Sequence, residues 1–313
     1  MDDWLYYQLV RKTVQLISPK ADNYTRYTLY KWFLMAKSGY DVRVSTGNNR
    51  ILLYAYSTDN IYEIPSHTQD GKPYVCLNYH DYGNIDFNVE KFTVVNIAVP
   101  GAEKVFSYRI TRLPDFKPSD YVEKELRFAF YQNELDLKIQ ITPKVQTLFT
   151  NYPVVDYELS INTPLSTQTR NSLVTAIKKE VKGMRQKDGI DFLMRFARYA
   201  FVFEKDTDQF GKEKRLTPEQ TLLFEGSDCD DRVALFYSLV KEIYNLPMIV
   251  LAYPEHVTIA VKLDKPIGKS ILYNGDAYTV CEPTPQRQDL KMGEMLPSLK
   301  HVAYEVAYAY HPN

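Results

Sequence analysis

Apolar residues follow two different spacings along the chain, and the first part of the sequence contains both. The segment from Tyr24 to Gly39 (YTRYTLYKWFLMAKSG) has helical spacing and ends at a glycine, which is typical of a helix with a glycine C-cap. The alternating runs YDVRV, RILLYAYS, IYEIPS and PYVCLNY follow, and such alternation predicts antiparallel strands. We therefore predict an N-terminal α+β domain over residues 1–85.

The middle of the chain, from about Phe92 to Leu165, is almost entirely alternating. Its strand-like runs are separated by Pro, Gly, Asp and Asn, which are turn-forming residues. Many short strands bounded by such residues are typical of a β-sandwich. We predict a β-sandwich-like domain over residues 86–165.

The pattern changes near Ser166. Helical spacing continues from there to about Val202, a charged loop follows, and a further helical run begins near Cys229. The strand-like runs MIVLAY, HVTIAVKL, SILYNG and AYTVCEPT come after it. These features predict a third domain over residues 166–313 and an α+β fold for the whole chain.

The composition argues against several classes of partner. Lys and Arg number 38 against 39 Asp and Glu, so no excess of positive charge indicates nucleic acid. No stretch approaches the roughly 18–20 uncharged apolar residues that a membrane span needs. The N-terminus lacks the basic and apolar regions of a signal peptide, which leaves open an intracellular location and a secreted chain whose leader has been removed. Neither location nor oligomeric state follows from the sequence.

The three cysteines, Cys76, Cys229 and Cys281, are an odd and sparse set, which argues against a disulfide framework. The chain has no C-x-x-C pair, and Cys76 with His80 forms an isolated C-x3-H, so we predict no metal site. It also has no G-x-x-x-x-G-K-[ST] or G-x-G-x-x-G motif, so we predict no nucleotide and no other cofactor.

Cys229 opens a predicted helix in the stretch LFEGSDCDDRVALFYSLV, with Ser227 or Asp228 as the N-cap. A thiol in the first turn lies in the positive end of the helix field, which lowers its pKa. The neighbouring acids Asp228, Asp230 and Asp231 act in the opposite direction. Position alone therefore does not make Cys229 a nucleophile.

Two further residues follow Cys229 at strand spacing. His256 begins the predicted strand HVTIAVKL, and Glu282 ends AYTVCE. A nucleophilic cysteine needs an imidazole to take its proton, and the imidazole needs a third polar group to fix its tautomer. Adjacent antiparallel strands can present such a pair side by side, opposite the start of a packed helix.

These residues resemble the transglutaminase-like superfamily of papain-like cysteine enzymes. Its usual core has Gly-x-Cys-x-(Asp/Glu) opening a helix, a His at a strand start and a strand Tyr-x-x-x-Asp-Pro-Thr. The stretch EKDTDQFGKEKRLTPEQTLLFEGSDCDDR is similar to uncharacterised bacterial proteins, common in Bacteroidetes, in which this domain ends a multidomain chain. The match is clear over about Ser166 to Leu296.

The resemblance implies a role for each of the three residues. Cys229 would be the nucleophile, His256 the general base and then acid, and Glu282 the orienting acid, although the usual acid is Asp. The backbone N–H of Cys229 would form half of an oxyanion hole. An upstream amide would form the other half, and we favour Gln209 over Gln220.

A self-comparison suggests an internal repeat, because residues 1–85 have the same order of helix and strands as the predicted catalytic core. Aligning Tyr40 with Leu246 places Asn23 opposite Cys229 and Arg50 opposite His256, and a two-residue gap then places Asn78 opposite Glu282. Residues 1–85 are therefore, as a hypothesis, a degenerate transglutaminase-like copy without a triad. Two unrelated α+β segments that share a common pattern are the alternative.

The resemblance implies a cysteine peptidase or amidase, or a transglutaminase, acting on a protein or peptide through a thioester. Two other classes stay open. The domain could be a catalytically inactive binding module, or the chain could be a scaffold whose aromatic strands expose an apolar patch.

Overall fold

The computed structural model describes residues 1–83, 85–87, 89–95, 97 and 99–312. About 33% of the chain is helical and 26% is in strands, and the main sheets are antiparallel, which confirms the predicted α+β class. The chain forms two compact units. Unit 1 comprises Met1–Ile110 and Leu148–Asp156, and unit 2 comprises Thr111–Thr147 and Tyr157–Asn313.

The helices are α1 (Asp3–Ile17), α2 (Tyr24–Lys37), α3 (Lys144–Leu148), α4 (Tyr157–Ile161), α5 (Thr167–Glu180), α6 (Gln186–Tyr199), α7 (Asp206–Phe210), α8 (Pro218–Leu223) and α9 (Cys229–Ile243). The strands are β1 (Val42–Gly47), β2 (Arg50–Tyr56), β3 (Ile61–Tyr62), β4 (Ser66–Gln69), β5 (Lys72–Cys76), β6 (Thr93–Val95), β7 (Val122–Phe130), β8 (Asn133–Ile141), β9 (Val154–Val155), β10 (Val202–Phe203), β11 (Gly226–Ser227), β12 (Met248–Tyr253), β13 (His256–Val261), β14 (Ser270–Tyr273), β15 (Asp276–Cys281) and β16 (Glu305–Tyr310).

Unit 1 contains a five-stranded antiparallel sheet in the order β4-β5-β2-β1-β6, and α2 packs on β1 and β2. The N-cap of α2 is Asn23, whose side chain accepts the Arg26 N–H at 2.8 Å. Strands β1 and β2 form a hairpin whose two turn residues, Asn48 and Asn49, have φ of 47° and 59°. A two-residue hairpin turn needs positive φ at these positions, which Asn adopts more readily than most residues.

Unit 2 contains a second five-stranded antiparallel sheet, in the order β14-β15-β13-β12-β16. The helix α9 packs on β13, and residues such as Leu235, Val250 and Ile259 have no exposed surface. Helices α5 and α6 belong to the same core cluster. This core holds α9 against β13, the central strand of the sheet.

The predicted β-sandwich over residues 86–165 is wrong. The described strands of that segment belong to three different sheets: β6 pairs with β1, β9 pairs with β3, and β7 pairs with β8 in a long hairpin. One face of the hairpin is buried in the core of unit 2 with α5 and α6. Alternation correctly indicated strands with one buried face, but that face packs on helices instead of on a second sheet.

The two five-stranded sheets have the same strand order and closely similar registers. Both begin with a hairpin that has two turn residues, closed by Gly47 and Arg50 in unit 1 and by Tyr253 and His256 in unit 2. The next strand also pairs equivalently, because Tyr54 faces Cys76 as Ala260 faces Val280.

The strand registers can be compared with the residue pairs that the self-comparison of the sequence aligned. Arg50 stands at the position of His256, and Asn78, two residues beyond Cys76, stands at the position of Glu282. The helix starts differ from the alignment by one residue. Asn23 is the N-cap of α2 as Asp228 is of α9, so Tyr24 and not Asn23 stands at the position of Cys229.

Candidate active site

Cys229 is the first residue of α9, and the N-cap is Asp228, one of the two predicted residues. The backbone N–H of Asp228 donates to Oδ2 of Asp231 at 3.4 Å, which ties the cap to the first turn. The backbone N–H of Cys229 has no acceptor within the helix because it belongs to the first turn. It is therefore available to an anion that forms beside the sulfur.

His256 and Glu282 form a hydrogen-bonded pair. Nε2 of His256 lies 2.8 Å from Oε2 of Glu282, whose side chain is buried. Oε1 of Glu282 accepts the backbone N–H of Thr284 at 2.9 Å, so both carboxyl oxygens are held. His256 begins β13 and Glu282 follows the last residue of β15, and these two strands are paired neighbours. The hairpin and the strand register thus bring the two predicted residues together.

The thiol of Cys229 lies near the start of the same strand, because the backbone N–H of Val257 is close enough to lower the pKa of the thiol. Val257 directly follows His256. Cys229 therefore lies near the point where β13 begins, close enough to Glu282 for that carboxylate to raise the pKa of the thiol, but the described residues include no hydrogen bond between Cys229 and His256. Cys229 is partly buried, whereas Cys76 and Cys281 are fully buried.

The electrostatic surroundings of Cys229 differ from those of a thiolate site. Burial, together with Asp230 and Asp228, raises the pKa of the Cys229 thiol, and the Val257 N–H only partly offsets this. These effects outweigh the lowering of the thiol pKa that the start of the helix is expected to produce. Cys229 is therefore a thiol at neutral pH, and it becomes a nucleophile only when a base takes its proton as it attacks.

The Asp230→Asn variant is expected to react faster with iodoacetamide at Cys229. Asp230 is ion-paired with Arg215 at 2.9 Å, and loss of its negative charge lowers the pKa of the neighbouring thiol. The rate profile should therefore move to lower pH, which mass spectrometry of the alkylated peptide measures. The matched control is Asp208→Asn, an exposed acid of α7, which should leave the profile in place. An unchanged profile in the Asp230→Asn variant would contradict this account of the thiol.

A buried acidic cluster adjoins the site. Single ligand atoms of Asp206, Asp228 and Asp231 lie within 4.8 Å of one another. Burial is the main cause that raises the pKa of Asp206 to about 7, that of Asp228 to about 11 and that of Asp231 well above its usual range. These groups can share protons, and they are also the residues that could hold a cation. The predicted absence of a metal stays a prediction.

The predicted oxyanion amide has no described contact with the triad. Gln209 lies in α7, where its Oε1 is buried and has no hydrogen-bond partner among the described residues. Gln220 is buried in α8, and its Oε1 accepts the Thr217 N–H at 3.1 Å as part of a capping box. The Nε2 of Gln220 is buried without a described partner, so this amide keeps a free donor. The choice between the two glutamines stays a prediction.

Two buried arginines that the sequence analysis missed hold the site in place. Arg232 of α9 donates to the backbone oxygens of Ala197 at 3.0 Å, Arg198 at 2.6 Å and Phe201 at 2.9 Å, at and just beyond the last turn of α6. The guanidinium thus caps carbonyls that a helix end leaves unpaired.

Arg198 in turn donates to the backbone oxygen of Glu282, through Nε at 3.0 Å, and to Asp289 at 2.7 Å. The end of α6 therefore connects the helix of Cys229 to the residue that orients His256. A sequence signal existed, since both arginines stand among apolar residues at helical spacing, where a solvated residue is not expected.

Comparisons with known proteins give no relative: no family model, no curated protein and no solved structure matches the chain. Within the described residues, no helix has the length and apolar character needed to cross a membrane.

Proposed function

We propose that this protein is a cysteine-dependent acyl-transfer enzyme with Cys229, His256 and Glu282 as its triad. The observation that carries the proposal is the 2.8 Å contact between His256 and Glu282, made near the start of β13, where the Val257 N–H is close enough to lower the pKa of the Cys229 thiol. Nucleophile, base and orienting group are the three parts that such chemistry needs. The resemblance to transglutaminase-like enzymes, with Glu282 in place of the usual Asp, leads to the same assignment.

In the proposed mechanism the two ring nitrogens of His256 have different tasks. An ionised Glu282 can only accept a hydrogen bond, so Nε2 carries the proton in that contact and Nδ1 keeps its lone pair. Nδ1 then takes the proton of Cys229 as the sulfur attacks a carbonyl carbon. The imidazolium that results is stabilised by Glu282 and gives the proton to the leaving amine.

The substrate class is a protein or peptide carboxamide, attacked to form a thioester. The N–H of Cys229 at the start of α9 stabilises the oxyanion, together with an amide from Gln209 or, as the alternative, Gln220. Water or a second amine resolves the thioester. We favour hydrolysis, by a peptidase or amidase, over cross-linking because the resemblance is to bacterial members of the superfamily.

Unit 1 enters the proposal as a degenerate copy of the same helix-and-sheet unit. Its support is the shared strand order and register, which place Tyr24, Arg50 and Asn78 at the triad positions. A tyrosine, an arginine and an amide cannot perform the same proton transfers. Unit 2 alone would then carry the chemistry.

A second candidate function is a binding module with an inactive triad. The raised pKa of the Cys229 thiol favours it, since a buried thiol beside acids is the state of an unreactive cysteine. The two candidates differ in whether Cys229 can be acylated.

The test is acetylation by p-nitrophenyl acetate, followed by mass spectrometry of the peptides that contain the cysteines. We expect an acetyl thioester on Cys229, strongly reduced in the His256→Ala variant, with Cys76 and Cys281 as internal controls because both are fully buried. No adduct on Cys229 in a folded protein would reject the enzyme and favour the binding module.

A further inference from the structure

A cavity of about 610 Å³ opens at the tip of the β7–β8 hairpin, beside the second half of α6. Its volume falls in the range of pockets that bind small molecules, roughly 300–1,000 Å³. Its polar and aromatic lining comes from the hairpin, from α6 and from the segment after β15: Tyr131, Gln132, Asn133, Arg195, Tyr199 and Asp289. Among the described residues that line it there is no member of the triad, so the proposed mechanism leaves this cavity without a role.

Tyr131 has an unusual backbone conformation. It is the first residue of the two-residue turn between Phe130 and Asn133, and its φ is 56°. Glycine, asparagine and aspartate are the usual residues at such a position, since a bulky side chain disfavours positive φ. Two contacts hold the tyrosine there: its hydroxyl donates to Asp191 at 2.7 Å, and its ring centroid lies 4.0 Å from Cζ of Arg195. Backbone strain of this kind clusters at functional positions, including those that hold ligands.

Asp289 is a fixed acceptor in the same lining. Its Oδ2 accepts from Arg195 at 2.8 Å, and its Oδ1 accepts from the Tyr199 hydroxyl at 2.8 Å and from Arg198 at 2.7 Å. These partners hold the carboxylate although half of the side chain is exposed. Burial acts to raise the pKa of Asp289, but the hydrogen bonds from Arg195 and Tyr199 outweigh it and keep the pKa below its usual value. The carboxylate is therefore ionised at neutral pH and can accept a further hydrogen bond.

The lining selects against ionic and apolar ligands. Its described cation, Arg195, and its described anion, Asp289, are paired with each other, so the wall carries no net charge. Ala129 is the one aliphatic side chain among the described lining residues, which offers little apolar surface to a hydrocarbon group. Gln132 and Asn133 are exposed amides that both donate and accept hydrogen bonds. A neutral ligand with many donor and acceptor groups therefore fits best.

A saccharide ring has both features that this wall can recognise. Each of its hydroxyls donates and accepts, so a hydroxyl can accept from Arg195 while it donates to the adjacent Asp289. Its C–H groups form an apolar face that packs on an aromatic ring, and Tyr131 is 58% exposed, which leaves part of its ring open. A peptide backbone matches the pair of charges less well, because its N–H only donates and its C=O only accepts.

We propose that this cavity binds a neutral saccharide, with one face of a sugar ring on Tyr131 and its hydroxyls on Asp289 and Arg195. The amides of Gln132 and Asn133 bind further hydroxyls. The tyrosine and the carboxylate are held in place before the ligand arrives, which reduces the cost of ordering them on binding. The inference goes beyond the proposed function and does not depend on it, because the cavity and the triad share no described residue.

Saturation-transfer NMR of the full chain tests this inference with maltose, cellobiose, lactose and N,N′-diacetylchitobiose, each at millimolar concentration. Putrescine, hexanoate and trialanine serve as cationic, anionic and peptide probes. We expect transfer to at least one disaccharide, strongest at the protons of one ring face, because that face lies on Tyr131. No transfer to any of the disaccharides would overturn the inference, and so would stronger transfer to one of the other three probes.

Variants locate the binding in the cavity. Tyr131→Gly removes the ring at a position where glycine adopts positive φ without strain, so we expect the dissociation constant to rise by about tenfold or more while circular dichroism shows an intact fold. Asp289→Asn should weaken binding by about tenfold because it removes the charged acceptor. Asn133→Ala should also weaken binding, and it replaces either variant that does not fold. The matched control is Phe203→Ala, because Phe203 is 46% exposed in unit 2 and is not among the described lining residues, and it should change nothing.

The outcomes separate this cavity from the triad. Cys229→Ala should bind the disaccharide as tightly as wild type, whether or not Cys229 of the wild type can be acetylated. Loss of binding in Cys229→Ala would overturn the inference, because the sugar would then occupy the triad. Binding that survives in both Tyr131→Gly and Asp289→Asn would overturn it too, because the sugar would then lie elsewhere on the protein.

Discussion

The His256→Ala variant is expected to lose acyl transfer by a factor between about a hundred and ten thousand. The loss should be large because the Cys229 thiol is not ionised in the resting protein: burial and the flanking acids raise its pKa, so that no preformed thiolate can compensate. The measurement is the steady-state hydrolysis of p-nitrophenyl acetate, with circular dichroism to show that the fold is intact.

Two controls accompany this variant. His311→Ala removes an exposed histidine of the same unit and should leave the rate unchanged. After subtraction of the hydrolysis that imidazole catalyses without the enzyme, added imidazole should restore part of the rate of His256→Ala, because it can take the proton that the missing side chain took. A rate within tenfold of wild type, or no rescue at all, would mean that His256 is not the base.

The Arg232→Met variant is expected to lower the free energy of unfolding of unit 2 by roughly 3–5 kcal/mol. Arg232 has no exposed surface, and its guanidinium satisfies three backbone oxygens at the end of α6, the nearest at 2.6 Å. Methionine fills similar space but leaves these oxygens buried and unpaired. Urea denaturation followed by tyrosine fluorescence measures the change.

The matched control for this variant is Arg127→Met on the hairpin, whose side chain is 73% exposed. Exposed ion pairs contribute little, so we expect a change within about 0.5 kcal/mol. Equal effects of the two substitutions would show that the carbonyl contacts of Arg232 do not stabilise the fold. The Arg232→Met variant should also change the rate at which Cys229 is acetylated. The start of α9 would lose the contacts that hold it to the end of α6.

Much of the site could be predicted because each of its residues stands at the boundary of a periodic element. Cys229 begins a run with helical spacing, His256 begins an alternating run and Glu282 ends another; the structure begins α9 at Cys229 and β13 at His256, and it ends β15 one residue before Glu282. The pKa of Cys229 could not be predicted in the same way. It depends on burial, which is produced by segments far apart in the sequence.

The arginines and the middle segment show a different difficulty. An arginine in an amphipathic helix is usually assigned to the solvent face, but Arg198 and Arg232 are buried because backbone oxygens surround them. Alternation in residues 122–141 correctly predicts strands, yet it says nothing about what their apolar face will cover. The prediction for this segment was therefore correct about the strands and wrong about what their apolar face packs against.

The β7–β8 hairpin has a consequence for how this protein can be divided experimentally. Its buried residues, Leu126, Phe128, Leu137, Ile139 and Ile141, belong to the same core as α6 and α9. A recombinant fragment that begins at Ser166, where the sequence pattern changes, would contain the whole triad but would lack this hairpin. Its apolar helix faces would then meet water, and a loss of activity in that fragment would report an incomplete core rather than missing chemistry. Dissection should therefore keep residues from Thr111 onward with the triad.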